Sequence, residues 1–101
     1  MIIYNTTFFH TAATAEPLKR WLREVWTPLC REHGAQPPLC LCMDSPQPGV
    51  EVLAVQAYFV DLAQCQIFAS EVAPAEFSKI TARLGADGVT PFPSILREVT
   101  L

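Results

Sequence analysis

Charge is scarce in this sequence. Only 17% of its 101 residues are Asp, Glu, Lys or Arg, against about 25% in an ordinary soluble domain. Seven lysines and arginines, with no basic run among them and a net charge of −3, lack the electrostatic footprint of a nucleic-acid binder. Glycine is also sparse: there is no Gly-x-Gly-x-x-Gly, no Walker loop and no Gly-x-Ser-x-Gly, which leaves out the usual phosphate cradles and the nucleophile elbow. The acids are scattered, with no pair set for glycosidase chemistry. His10 and His33 fall at the ends of expected elements, where solvation is the expectation. No apolar stretch approaches the roughly 20 residues that span a bilayer, and no charged leader precedes a hydrophobic core. A cytoplasmic protein with neither membrane nor nucleic acid as partner is expected.

Apolar residues, by contrast, are plentiful. They make up 50% of the chain, more than a small monomer easily hides, since a domain of this size buries only about two-thirds of its unfolded surface. An oligomer that covers a second face is the natural outlet. The four cysteines, Cys30, Cys40, Cys42 and Cys65, sit within apolar periodic patterns and are expected to be reduced, buried thiols. Cys30, His33, Cys40 and Cys42 lack the knuckle spacing of a zinc site, so no metal and no cofactor is expected.

Prolines and periodicity order the elements. Residues 2–9 alternate as a first strand. Thr14 is expected to cap a helix with Glu16 in its first turn, and Leu18, Trp21, Leu22, Val25 and Leu29 form one apolar face before Gly34 stops it. Pro28 falls inside that pattern and is expected to kink the helix. Leu39 to Met43 and Val50 to Val60 read as strands around the turn residues Asp44 to Gly49. Asp61 caps a second helical stretch that Pro74 interrupts and Gly85 ends. The last strand is expected to run from Val89 to Leu101, so that both ends of the chain are tied into the sheet. The two β-α-β halves, each with a proline partway along its helix, amount to a weak internal repeat.

This β-α-β-β-α-β order predicts a ferredoxin-like sandwich in a single domain over residues 1–101: a four-stranded antiparallel sheet with two helices on one face. Pro37 and Pro38 precede the second strand, and Pro91 and Pro93 share a parity in the fourth. Both features suit edge strands. On the third strand, Leu53, Val55, Ala57 and Phe59 form one face, and Val52, Ala54, Tyr58 and Val60 the other, broken only by Gln56. Helices cover one face of a sheet, so the second apolar face calls for another layer. A second copy of the sheet, giving a dimeric α/β barrel, is the expected partner, and a charge at Ala54 or Val60 is expected to disrupt it.

The opening Met1-Ile2-Ile3-Tyr4-Asn5-Thr6-Thr7 resembles that of a bacterial family designated domain of unknown function 4286. The likeness continues through Trp21-Leu22, Trp26-Thr27-Pro28, Val55-Gln56, Tyr58-Phe59, Glu71-Val72-Ala73-Pro74, Leu84-Gly85, Phe92 and Ile95-Leu96. The resemblance implies a small dimeric ferredoxin-like protein with no assigned activity. Many members carry His-Ile-Pro and His-Ala-Pro where this chain has Trp26-Thr27-Pro28 and Val72-Ala73-Pro74, so any chemistry that rests on those histidines is absent here.

Five residues are candidates for a ligand site in a cleft between sheet and helices: Asn5, Trp26, Tyr4, Gln56 and Tyr58. Asn5 is a polar amide in a central strand, the position from which dimeric-barrel monooxygenases orient a ligand; its alternative is a structural contact within the sheet or a dimer. Gln56 lies on the neighbouring strand and has Asn5 or its own symmetry mate as partner. Trp21 and Trp26, five apart, are expected on different sides of the helix, with Trp21 in the core and Trp26 in the core or at a pocket edge. Tyr4 or Tyr58 would add a hydroxyl, and alternation alone does not say which strand face turns inward. With no activated nucleophile or oriented base, a non-catalytic dimeric module that binds a small apolar ligand or a partner protein is the expected function. The alternative is a cofactor-free or haem-dependent monooxygenase of the dimeric α/β-barrel type.

Overall fold

The computed structural model describes residues 1–45 and 47–101; Pro46, within the turn expected at 44–49, lies outside them. The strands are β1 (Ile2–His10), β2 (Leu39–Met43), β3 (Glu51–Phe59) and β4 (Val89–Arg97), and the α-helical segments are α1 (Ala15–Trp21), α2 (Thr27–Glu32), α3 (Leu62–Ile67) and α4 (Ala73–Leu84). The strands form one antiparallel sheet in the order β2-β3-β1-β4. This is the ferredoxin-like α+β sandwich. The proline-flanked second strand and the proline-bearing fourth strand are its edges, where a missing N–H costs no ladder bond.

The helices are two rods, each with a π turn in the middle. Leu22–Trp26 joins α1 to α2, and Phe68–Val72 joins α3 to α4. In each rod the turn closes with an i→i−5 bond, Thr27 N–H to the Leu22 carbonyl and Ala73 N–H to the Phe68 carbonyl. Pro28 and Pro74 occupy the first turn of the segment that follows, where a missing amide hydrogen is tolerated best. The two halves of the internal repeat therefore share a backbone device as well as a proline.

That device corrects the expectation for the tryptophans. In a regular α-helix residues five apart diverge, whereas a π turn brings i and i+5 onto one side. Trp21 and Trp26 accordingly stack, with ring centroids 5.4 Å apart and planes 26° from parallel.

Helix ends follow the capping rules with one shift. The Asp61 carboxylate accepts the Ala63 N–H at 2.8 Å, as expected for an N-cap. The first rod starts earlier than its expected cap at Thr14, through a 3-10 turn over Ala12–Thr14. The Thr14 hydroxyl accepts the Thr11 N–H at 3.2 Å and donates to the Gly88 carbonyl at 2.7 Å, pinning the loop that leads into β4. Gly34 and Gly85 follow the two rods with φ of 91° and 87°, a region that favours glycine.

The last strand is shorter than its β-favouring sequence predicts. Its final pair is Arg97 with Ile2, followed by a single bond from Glu98 N–H to the Met1 carbonyl. Residues 99–101 join no strand among the described residues.

Candidate functional site

The register assigns every strand residue a face. Directly paired residues share one side of an antiparallel sheet, so Tyr4, Thr6 and Phe8 lie with Leu53, Val55, Ala57 and Phe59 under the helices. Asn5 pairs with Gln56 and Ser94, and Leu39 pairs with Gln56, which puts all four on the opposite, free face. Tyr58, opposite Ile3, is there too. The five candidate residues therefore do not form one cleft. Tyr4 and Trp26 lie within the helix-covered layer, while Asn5, Gln56 and Tyr58 face away from it.

Side chains occupy the helix-covered layer. Trp26 is 1% exposed and sits against Trp21, Phe77, Phe68 and Tyr4, with ring centroids 5.0 to 6.3 Å away. Tilted, offset and edge-on contacts of this kind add to the area they bury. Among the described residues, two buried polar atoms, Trp26 Nε1 and Thr6 Oγ1, have no hydrogen-bond partner. Each carries a desolvation cost that the surrounding packing offsets.

Two buried thiols, Cys30 and Cys65, accompany Tyr4 of this cluster in the core. Burial, then the nearby Cys65 and Cys30, pushes the Tyr4 hydroxyl well above its ordinary range. Burial likewise pushes Cys30 up to about 12, partly offset by a backbone hydrogen bond, and raises Cys65. All these groups are held neutral, and the sign of the linkage follows. The unfolded chain releases a cysteine proton near pH 9.0 while folded Cys30 holds it to about pH 12, so stability is full below the lower value and falls across that window. Melting temperature is expected to be level below pH 9 and to drop steeply above it. The Cys30 share approaches about 4 kcal/mol for three pKa units, and Cys30→Ala should flatten the decline. A melt series from neutral to strongly alkaline pH checks this.

On the free face, Gln56 Nε2 donates to Asn5 Oδ1 at 3.3 Å and Asn5 Nδ2 donates to Thr7 Oγ1 at 3.2 Å. The amide in the central strand thus finds its partners within the sheet, as one of its two sequence readings required. Around this polar line lie Phe9, Leu39, Leu41, Met43, Tyr58, Phe92 and Leu96, all exposed. No paired position on this face carries a charged side chain.

Elsewhere the structure departs from expectation at two residue types. His10 is buried, and its Nδ1 lies 2.8 Å from the Thr11 carbonyl; because a carbonyl only accepts, Nδ1 carries the hydrogen. His33 is half-buried and packs on Phe68 at 5.5 Å. Cys40 and Cys42 are exposed rather than buried, although all four thiols are free. Their side of the sheet faces the helix layer, but β2 lies at the edge and overhangs it.

The overhang creates a groove of about 310 Å³, lined by Lys19, Leu22, Arg23 and Thr27 of the first rod, by Pro38 just before β2, and by Cys40 and Leu53 of the sheet. Of these, sequence alone raises only Cys40 as a site residue, as a zinc ligand set aside for its spacing, and none as lining a ligand groove. In the sequence, Lys19, Arg20, Arg23 and Glu24 together make the polar side of the first helix, which reads as ordinary solvated surface. Among the described residues, no three His, Cys, Asp or Glu side chains come together as a metal site, and no helix is long and apolar enough to cross a membrane.

The architecture defines a small ferredoxin-like protein, and two solved structures share it. One is a protein of Deinococcus radiodurans described as a candidate antibiotic biosynthesis monooxygenase, with a TM-score of 0.70 and 18% identity over 100% of this chain and 95% of that one. The other is an ethyl tert-butyl ether d (EthD) family protein of Bacillus halodurans C-125, with a TM-score of 0.56 and 14% identity over 98% of this chain and 100% of that one. At such identities the likeness is one of fold. No family model and no curated protein matches the chain.

Proposed function

We propose that the protein is a non-catalytic module that works as a homodimer, paired through the free face of its sheet, and binds a small apolar molecule or a partner protein. The observation that carries the pairing is the free face itself: seven large apolar side chains exposed on one uncharged surface. A monomer in water rarely leaves such a patch uncovered. A second copy brings the same apolar rows and the same central amide line, and a two-fold axis makes such a surface self-complementary. The proposal includes membership of the family designated domain of unknown function 4286, for which the residue likeness along the chain is the support.

The oxygenase alternative draws its support from the fold shared with the Deinococcus radiodurans protein. Against it stands the packing of Trp26, Phe68, Tyr4 and Phe77 where a substrate would need space between sheet and helices. The same packing does not fit a haem, whose plane would have to replace several of these rings. Light scattering at micromolar concentration should give twice the mass of one chain, and a stable monomer would defeat the pairing. Spectral titration with haem and with flavin should show no tight one-to-one complex; either complex would restore the oxygenase.

A further inference from the structure

We infer that the groove beneath the β2 overhang is a binding site for an amphipathic monocarboxylate, an acid with one anionic end and a short hydrocarbon body. The inference narrows the small-molecule half of the proposed function, from an apolar molecule to one that also carries a charged end, and rests on that half alone. Three features of the groove support it.

The first is its charge. Lys19 and Arg23 of the first rod both line the groove. Lys19 has a weak exposed contact to Glu16 at 3.9 Å. Among the described residues, Arg23 makes no ion pair. In a protein of net charge −3, two cations facing one concavity make a local positive site. Arg23 presents the planar fork that suits a carboxylate.

The second feature is the floor. Leu22 and Leu53 reach it from the core, where each is almost fully buried, and Pro38 closes it beside β2. Cations at one side and aliphatic carbon below match an acid with a hydrocarbon body, and neither a bare anion nor a neutral oil matches both. A volume of about 310 Å³ is at the small end of the roughly 300–1,000 Å³ range of ligand sites, which favours a short chain.

The third is Cys40, on the groove wall. It is exposed as a residue and lines the groove, and burial raises its pKa. Cys42, on the same side of the same strand, does not line it. The pair is a built-in reporter, one thiol inside the site and one outside.

Calorimetric titration of the whole protein with octanoate tests the inference, with octanol and acetate as controls and iodoacetamide alkylation of Cys40 and Cys42 followed by mass spectrometry. Octanoate should bind at one site per chain, at least about 10-fold more tightly than either control. It should slow alkylation of Cys40 several-fold and leave Cys42 unchanged. Arg23→Ala, at an exposed position, should fold normally and weaken octanoate about 10-fold or more, with Arg23→Lys recovering part of the loss. Octanol binding as well as octanoate, full affinity in Arg23→Ala, equal protection of both thiols, or no binding at all would each overturn the site. Light scattering on the same samples separates the two proposals: a dimer that ignores octanoate sinks the ligand site alone, and a monomer that binds it sinks the pairing alone.

Discussion

If the parent chain pairs as proposed, a protein carrying Leu41→Glu and Phe92→Glu together is expected to run as a folded monomer under conditions where the parent runs as a dimer. Leu41 pairs with Ala54, Ala54 with Thr7, and Thr7 with Phe92, so the two substitutions lie at opposite ends of one row across the free face. At 43% and 54% exposure, both side chains can become charged without disturbing the protomer. In a face-to-face pair each charge is buried, and the symmetry repeats it. Dimerisation should weaken by on the order of 100-fold or more, while the circular dichroism spectrum keeps its native shape. Light scattering across a dilution series reads the shift, and an undiminished dimer would show that another surface pairs. The structure makes these better probes than the positions expected from sequence. Ala54 is only 7% exposed, so a charge there would strain the protomer itself, and Val60, 80% exposed in the bend after β3, lies beyond the paired rows.

Trp26→Ala should be the most damaging single substitution in the chain. It empties the centre of the aromatic cluster and removes partners from Trp21, Phe77, Phe68 and Tyr4 at once. Truncating a fully buried tryptophan costs about 3–5 kcal/mol, a large part of the 5–15 kcal/mol typical of a domain. The melting temperature should fall by roughly 4–8 °C per kcal/mol in a chain of this size. Trp26→Phe should cost much less. It keeps an aromatic ring in the stack and deletes the indole N–H, which has no hydrogen-bond partner. Thermal melts of both variants check the order. Equal losses would mean that the indole nitrogen has an essential partner and that the interior holds more than packed rings.

The sequence by itself determined the order of elements, because periodicity, prolines and glycines are local signals. Pro91 and Pro93 marked an edge strand through the N–H groups they lack, Asp61 marked a helix start, and Gly34 and Gly85 marked two ends. It also determined which strand residues share a face, since alternation follows from the pleat. Which face turns inward was a tertiary decision. On β1, Tyr4, Thr6 and Phe8 alternate with Ile3, Asn5, Thr7 and Phe9, and each set mixes apolar and polar side chains, so neither declares itself the core. The helices made the choice where they landed, and Asn5 and Gln56 were thereby separated from Tyr4 and Trp26. The stacking of Trp21 on Trp26 was equally hidden, because a π turn rotates the helix face without a residue pattern of its own. The exposure of Cys40, and the groove beside it, arose because the helix layer leaves the outermost strand overhanging, a fact of assembled layers that no stretch of β2 records.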